Sequence, residues 1–280
     1  MDSKLSEFFS YSTGTKRDWK DVLNGQQCKY LSRKCIKNRK SLPDISLGTC
    51  TVNYGREAKD IIICPHRLLQ DKKIFMDSIH LLVLHEPGNE LHIIPEIAIP
   101  GGSVDYFIVS AKKGKVKDFV GIELQTMDTT GTVWNERQKF LHGNNIVVEK
   151  EDLIKKNFGI NWKMTAKTIL IQLHHKIETF ENLGKHLVLV SQDCLLDYMK
   201  RAFAFSVIGA AKIGNSMHFH SYSLERQYDK TFKLELIERL STDSEGIAKC
   251  LGLKAEANLE LEEMLSKIQS KISKATLMTI

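Results

Sequence analysis

Between Pro100 and Gly131 the chain reads PGGSVDYFIVSAKKGKVKDFVGIELQTMDTTG, and this stretch restricts the fold more than any other. Val104 to Val109 and Phe119 to Gln125 are runs rich in β-branched and aromatic residues, and the polar, glycine-bearing AKKGKVKD between them is turn chemistry. Together they read as two antiparallel strands joined by a hairpin turn. Side chains alternate across a strand, so Glu123 and Gln125 point to one face while Ile122 and Leu124 point to the other. Pairing then sets Asp105 beside Glu123 on a polar face with core behind it.

Two carboxylates so placed suit a hard divalent cation such as magnesium, which takes oxygen ligands in a near-octahedral shell. A cation held there supports phosphodiester hydrolysis, which needs an activated water and charge neutralisation at the scissile phosphate. Gln125 can orient a water but carries no positive charge and cannot act as a base. The competing reading is an acidic pair that is merely solvated.

The chain has 280 residues and an ordinary globular balance, 42% hydrophobic and 26% charged, which excludes a disordered or fibrous class. No apolar run approaches the roughly eighteen residues of a membrane span. MDSKLSEFFS lacks the basic-then-apolar layout of a signal peptide, so a cytoplasmic location is expected, with no membrane partner. A net charge of +6 favours anionic partners weakly. Its distribution is more informative: CKYLSRKCIKNRK, Cys28 to Lys40, holds six basic residues and no acidic one, and Lys112, Lys113, Lys115 and Lys117 crowd the hairpin turn. Both are candidates for tracking a phosphate backbone. Cys28, Cys35, Cys50 and Cys64 are spaced C-x6-C-x14-C-x13-C. In a reducing compartment such cysteines are free thiols or metal ligands rather than disulfides, and this spacing, unlike a C-x2-C knuckle, does not decide between the two.

SVDYFIV followed by GIELQTMDTTG resembles the active-site hairpin of the NotI-like type II restriction endonucleases, a branch of the PD-(D/E)XK nucleases in which glutamine replaces the last lysine. GTCTVN followed by IIICPHR resembles the second half of that family's four-cysteine iron site. The resemblance implies an α/β fold, a mixed-sheet nuclease core (73–280) with a small N-terminal metal-binding subdomain (1–72). It implies site-specific cleavage of double-stranded DNA, with Asp105 and Glu123 binding catalytic magnesium and Gln125 positioning water. Cys28, Cys35, Cys50 and Cys64 would hold iron, although tetrahedral thiolates also suit zinc. Glu96, in IIPEIAIP, would add a water-mediated metal contact, and Thr129, Thr130 and Arg137 would stand near the scissile phosphate. Cutting both strands with one hairpin per chain implies a homodimer, and a restriction enzyme implies a cognate DNA methyltransferase. A repair or mobile-element nuclease, or a metal-stabilised DNA-binding protein that no longer cleaves, remains an alternative.

The rest of the chain is read more coarsely. Leu5, Phe8 and Phe9 form a short amphipathic piece, and KRDWKDVLN is helical in spacing, ending at Gly25. DKKIFMDSIHLLVLHE reads as a helix-to-strand passage. Ile169, Leu173, Ile177 and Phe180 predict a helix over Trp162 to Leu183, ended by Gly184, with a strand and short helix following in HLVLVSQDCLLDYM. Next come strands at FAFSVIGA, MHFHSYSLE and TFKLELIERL, then helices from Ser241 and Asn258 whose apolar seams suit a partner or the protein's own sheet. His218 and His220 share one strand face and read as core or DNA-facing groups.

Overall fold

The computed structural model describes residues 3–39, 42–154, 158–253 and 261–271, so Lys40 and the helix start expected at Asn258 lie outside the described residues. In chain order the principal elements begin with strands β1 (Leu5–Phe8) and β2 (Tyr11–Ser12), helix α1 (Trp19–Gly25), and strands β3 (Thr49–Tyr54) and β4 (Lys59–Ile62). Strands β5 (Glu90–Ile99), β6 (Gly102–Lys112) and β7 (Lys115–Gln125) follow, with helices α2 (Trp134–Gly143) and α3 (Trp162–Asn182) after them. The last group is β8 (His186–Gln192), α4 (Asp193–Ala202), β9 (Gly209–Ala210), β10 (Met217–Arg226), β11 (Phe232–Thr242), α5 (Ser244–Cys250) and α6 (Leu261–Gln269).

A mixed sheet of seven strands, ordered β9-β11-β10-β8-β7-β6-β5, organises the protein. β7 pairs parallel to β8 and β8 parallel to β10, while the hairpin β6–β7 and the outer pairs are antiparallel. Strict alternation sorts the side chains. Phe107, Val109, Leu187, Leu189 and Phe219 face one side, where α3 packs with Ile169, Leu170, Leu173, Ile177 and Phe180. Ile108, Val120, Ile122, Val188 and Val190 face the other, against Leu68, Ile74, Phe75 and Leu81. Each fully buried aliphatic side chain of α3 contributes on the order of 1.5–3 kcal/mol relative to exposure.

A second sheet, β2-β1-β3-β4, carries the N-terminal residues. Its Leu5, Phe8 and Val52 belong to the same cluster as the α3 face, and Ile62 belongs to the opposite one. The core therefore runs continuously across the expected division at residue 72.

Four local expectations are corrected. The amphipathic Leu5–Phe8 is a strand buried along its whole length. DKKIFMDSIHLLVLHE contains no strand: after one helical turn at Lys73–Met76, Ser78 Oγ donates to the Ile74 carbonyl and a short 3-10 turn buries Leu81 under the sheet. FAFSVIGA gives a 3-10 turn and only the two-residue β9, because Phe205 anchors inward instead of pairing. The helix expected from Ser241 begins at Ser244, since β11 runs through Thr242 and Asp243 caps α5 by accepting from the Gly246 amide. Among the described residues, no helix is long and apolar enough to cross a membrane.

Candidate active site

Antiparallel pairing of β6 with β7 matches Tyr106 to Ile122, and pairing of β6 with β5 matches Val104 to Ile97 and Tyr106 to Pro95. Continuing those registers by one residue aligns Glu96, Asp105 and Glu123 across three neighbouring strands. Residues opposite each other on antiparallel strands share a face, so the two hairpin carboxylates stand together. Asp105 Oδ2 accepts a 2.8 Å hydrogen bond from the Leu124 amide, which ties it to β7. Glu96 is exposed and sits at φ +48°, a left-handed kink in the edge strand that β-region residues do not make.

A cleft of about 320 Å³ opens over this face, lined by Asp105, Glu123, Gln125, Gln172 and Lys176 with the Gly101–Ser103 turn. Lys176, on α3, is 5% exposed, and its Nζ lies 2.6 Å from Glu123 Oε1. Two glycines let the helix come so near. A Cβ on Gly101 would sit 2.1 Å from the His175 carbonyl oxygen, and one on Gly121 would sit 2.5 Å from the Phe180 ring. Gly101 also has φ +91°, a conformation that glycine adopts without penalty.

Burial drives the Glu123 carboxyl up to about 7, partly offset by the hydrogen bond and charge of Lys176 and reinforced by Asp105. Asp105 is raised by desolvation too, opposed by the Leu124 amide and Lys176, with Glu96 adding to the rise. The Gln125 amide donates to the Thr126 carbonyl at 2.6 Å and so lies along its own strand.

The four cysteines converge beside the hairpin. Cys28, Cys50 and Cys64 are buried, and Cys35 is half-buried. Cys50 and Cys64 share a hydrogen bond that pulls the Cys64 thiol down and, together with burial, pushes Cys50 up. Backbone N–H groups of Lys37 and Gly48 point at Cys35, that of Ser10 at Cys50, and those of His66 and Arg67 at Cys64. Such donors favour thiolate, the form that ligates metal, so the donor set fits a tetrahedral thiolate site. As the side chains stand, no three His, Cys, Asp or Glu groups among the described residues are disposed to hold an ion. His66 links the two regions: it follows Cys64 by two residues, and the charge of Asp105 reaches its half-buried ring.

The expected DNA contacts fare differently. Lys112, Lys113 and Lys115 are exposed, but they occupy the far end of the hairpin, about 25 Å from the carboxylates at ~3.3 Å per residue. They lie well away from the hairpin carboxylates on the same strands. Thr130 is exposed and Thr129 half-buried in a two-residue pairing with Gly159–Ile160, just past the end of β7. Arg137 is not brought to the site. It is 3% exposed, its Nε donates to the Leu47 carbonyl, and its guanidinium stacks on Trp134 at 4.5 Å. Its position on the first turn of α2, whose inner face packs on β1, turns it into the core.

Lys176 escaped the sequence reading although a signal was present. Ile169, Leu173, Lys176 and Phe180 follow the 3-4 spacing of one helix face, so a charge interrupts the apolar stripe of α3.

No curated protein matches the chain. No solved structure matches it either. A family model described as restriction endonuclease NotI matches residues 31–214, a span holding Cys35, Cys50, Cys64, Asp105, Glu123, Gln125 and Lys176 and leaving Cys28 just outside. With well over half of its length in that match and the hairpin carboxylates aligned over an open cleft, the chain belongs to the NotI restriction endonuclease family.

Proposed function

We propose that this restriction endonuclease is a magnesium-dependent type II enzyme that cleaves both strands of duplex DNA at a specific sequence. The observation that carries the reading is the pairing of Asp105 with Glu123 on adjacent strands lining one open cleft, with Glu96 opposite Asp105 on the next strand. The oxygen donors of Asp105 and Glu123 fit magnesium, which when bound supplies charge neutralisation at the phosphate and a more acidic water. Asp105, oriented by the Leu124 amide, keeps its other oxygen for ligation. Glu123 offers the second carboxylate, and Glu96 would reach a bound ion through water. Gln125 holds the attacking water in line by hydrogen bonding, its amide swinging away from Thr126 to do so. Thr129 and Thr130 contact the DNA backbone past the end of β7, and Lys112, Lys113 and Lys115 hold it farther along the duplex. Cys28, Cys35, Cys50 and Cys64 hold a structural iron or zinc that couples the N-terminal sheet to the core.

One hairpin per chain cuts one strand, so a two-fold homodimer on a palindromic site accounts for double-strand cleavage. The seam of α5 is buried in its own core, whereas Met264, Leu265 and Ile268 of α6 are exposed and apolar, which favours α6 as interface material. A cytoplasmic enzyme of this kind works beside a cognate DNA methyltransferase.

Incubating the protein with a sequenced genome and magnesium, then mapping the ends, tests this reading. Discrete two-fold-symmetric ends are expected, lost in Asp105→Asn and Glu123→Gln while specific binding in calcium persists. Cleavage by either variant within about tenfold of the parent would sink the assignment, because each removes a charged ligand without altering shape.

A further inference from the structure

Lys176 is the cation in the cleft, and nothing in the hairpin supplies one. Among the described residues lining the cleft it alone carries positive charge, since Gln125 is a neutral amide. A lysine is rarely buried to this degree unless paired, and a buried ion pair is weak evidence of stabilisation, because an apolar pair of equal volume often serves the fold as well. The placement of this one is built in from both sides. Gly101 meets the backbone at His175, a Cβ on Gly102 would press on the Lys176 stem at 3.2 Å, and Gly121 admits Phe180 one helical turn further along.

We propose that Lys176 is a catalytic residue, a helix-borne ammonium that contacts the attacking water and a non-bridging oxygen of the scissile phosphate once Glu123 engages the divalent cation. The proposal rests on the nuclease reading above. In the step it assists, a lone pair of the water oxygen forms the new P–O bond while the bond to the leaving sugar oxygen breaks. The proton lost by the water passes to solvent, and the leaving oxygen takes one from solvent. Lys176 stays protonated throughout and acts by hydrogen bonding to charge that develops on the phosphate oxygens. Preorganised donors in that role typically give about 10²–10³-fold in rate.

The test uses the full chain and its mapped duplex site under single-turnover conditions. Lys176→Met is expected to lower the rate at saturating magnesium about 100-fold or more, with DNA affinity in calcium little changed and Tm lowered because the buried Glu123 loses its partner. A purely structural ion pair predicts the opposite split: an unchanged maximal rate and a lower half-saturating magnesium concentration, because Glu123 is freed. That result, or a rate within about threefold of the parent, overturns the proposal. Relocating the charge gives a second measurement that does not depend on Lys176→Met folding. Gln125→Lys combined with Lys176→Gln is expected to cleave at least about tenfold faster than Lys176→Gln alone, and no recovery overturns the proposal. A parent protein that does not cleave in magnesium refutes the nuclease reading itself, whereas an active parent beside a fully active Lys176→Met refutes Lys176 only.

Discussion

Replacing Gly121 by alanine tests how β7 and α3 were brought together. Gly121 lies two residues before Glu123 on β7 and faces the same helix. Its backbone is ordinary for a strand, so the added methyl acts through contact alone. That Cβ would sit 2.5 and 2.8 Å from two Phe180 ring carbons and 3.0 Å from Leu187 Cδ1. Carbon atoms rest at about 3.5–4.0 Å, so the shortfall is about 1 Å. The ring is hemmed by Phe107 and Phe119 at centroid distances of 6.2 and 6.5 Å, and α3 must therefore retreat. Overpacking of this kind costs about 1–3 kcal/mol, and for a chain of this size lowers Tm by about 2–5 °C. Because Lys176 is one turn from Phe180, the same retreat stretches its 2.6 Å bond to Glu123 past hydrogen-bonding range. A misplacement of ~1 Å in an active site can cost about 100-fold in rate. Calorimetry and single-turnover cleavage measure both effects, and Phe180→Leu, which makes room for the methyl, is expected to rescue Gly121→Ala with a coupling of about 0.5–3 kcal/mol. Gly121→Ala with Tm within about 1 °C and a rate within about twofold of the parent would refute the packing argument, as would strictly additive effects of the two changes.

Three further outcomes are expected. Elemental analysis of the parent is expected to find one iron or zinc, which Cys64→Ser loses while melting at lower temperature, and folded Cys64→Ser at low temperature is expected still to cleave; metal-free parent, or metal-free protein of parental stability, would contradict it. Arg137→Ala is expected to cost about 1–3 kcal/mol of stability by orphaning the Leu47 carbonyl, with DNA affinity unchanged; a binding defect without destabilisation would return Arg137 to the DNA interface. Burial, aided by Arg239 and neighbouring histidines, draws His220 down to about 3, and burial likewise draws His218 to about 4, with His80 stacked on the His220 ring and Ser78 Oγ 3.3 Å from its Nδ1. The stability this represents is complete above the ordinary histidine value near 6.5 and is lost as pH falls towards 4, since the unfolded chain takes up protons that the folded one refuses. Each histidine adds up to about 1.4 kcal/mol per pH unit, so His220→Gln should flatten the slope of unfolding free energy between about pH 6 and 4, and an unchanged slope would exclude this source.

Much of the site was legible because it is local. Asp105, Glu123 and Gln125 lie on consecutive strands joined by a turn, so period-two alternation and hairpin pairing determine their common face without knowledge of the rest of the chain. The strand–helix step at His186–Ala202 and the long helix ended by Gly184 followed from the same short-range rules. Tertiary structure decided what depends on which elements meet. The charge of Lys176 reads as a flaw in an apolar stripe until α3 is laid on β7, where the flaw coincides with Glu123. Arg137 reads as a DNA contact until α2 packs on β1 and turns it inward. Leu5–Phe8 and the Lys73–Leu82 passage took their conformations from the surfaces they cover, since so short an apolar run satisfies a strand, a 3-10 turn or a helix equally well until a partner surface selects one.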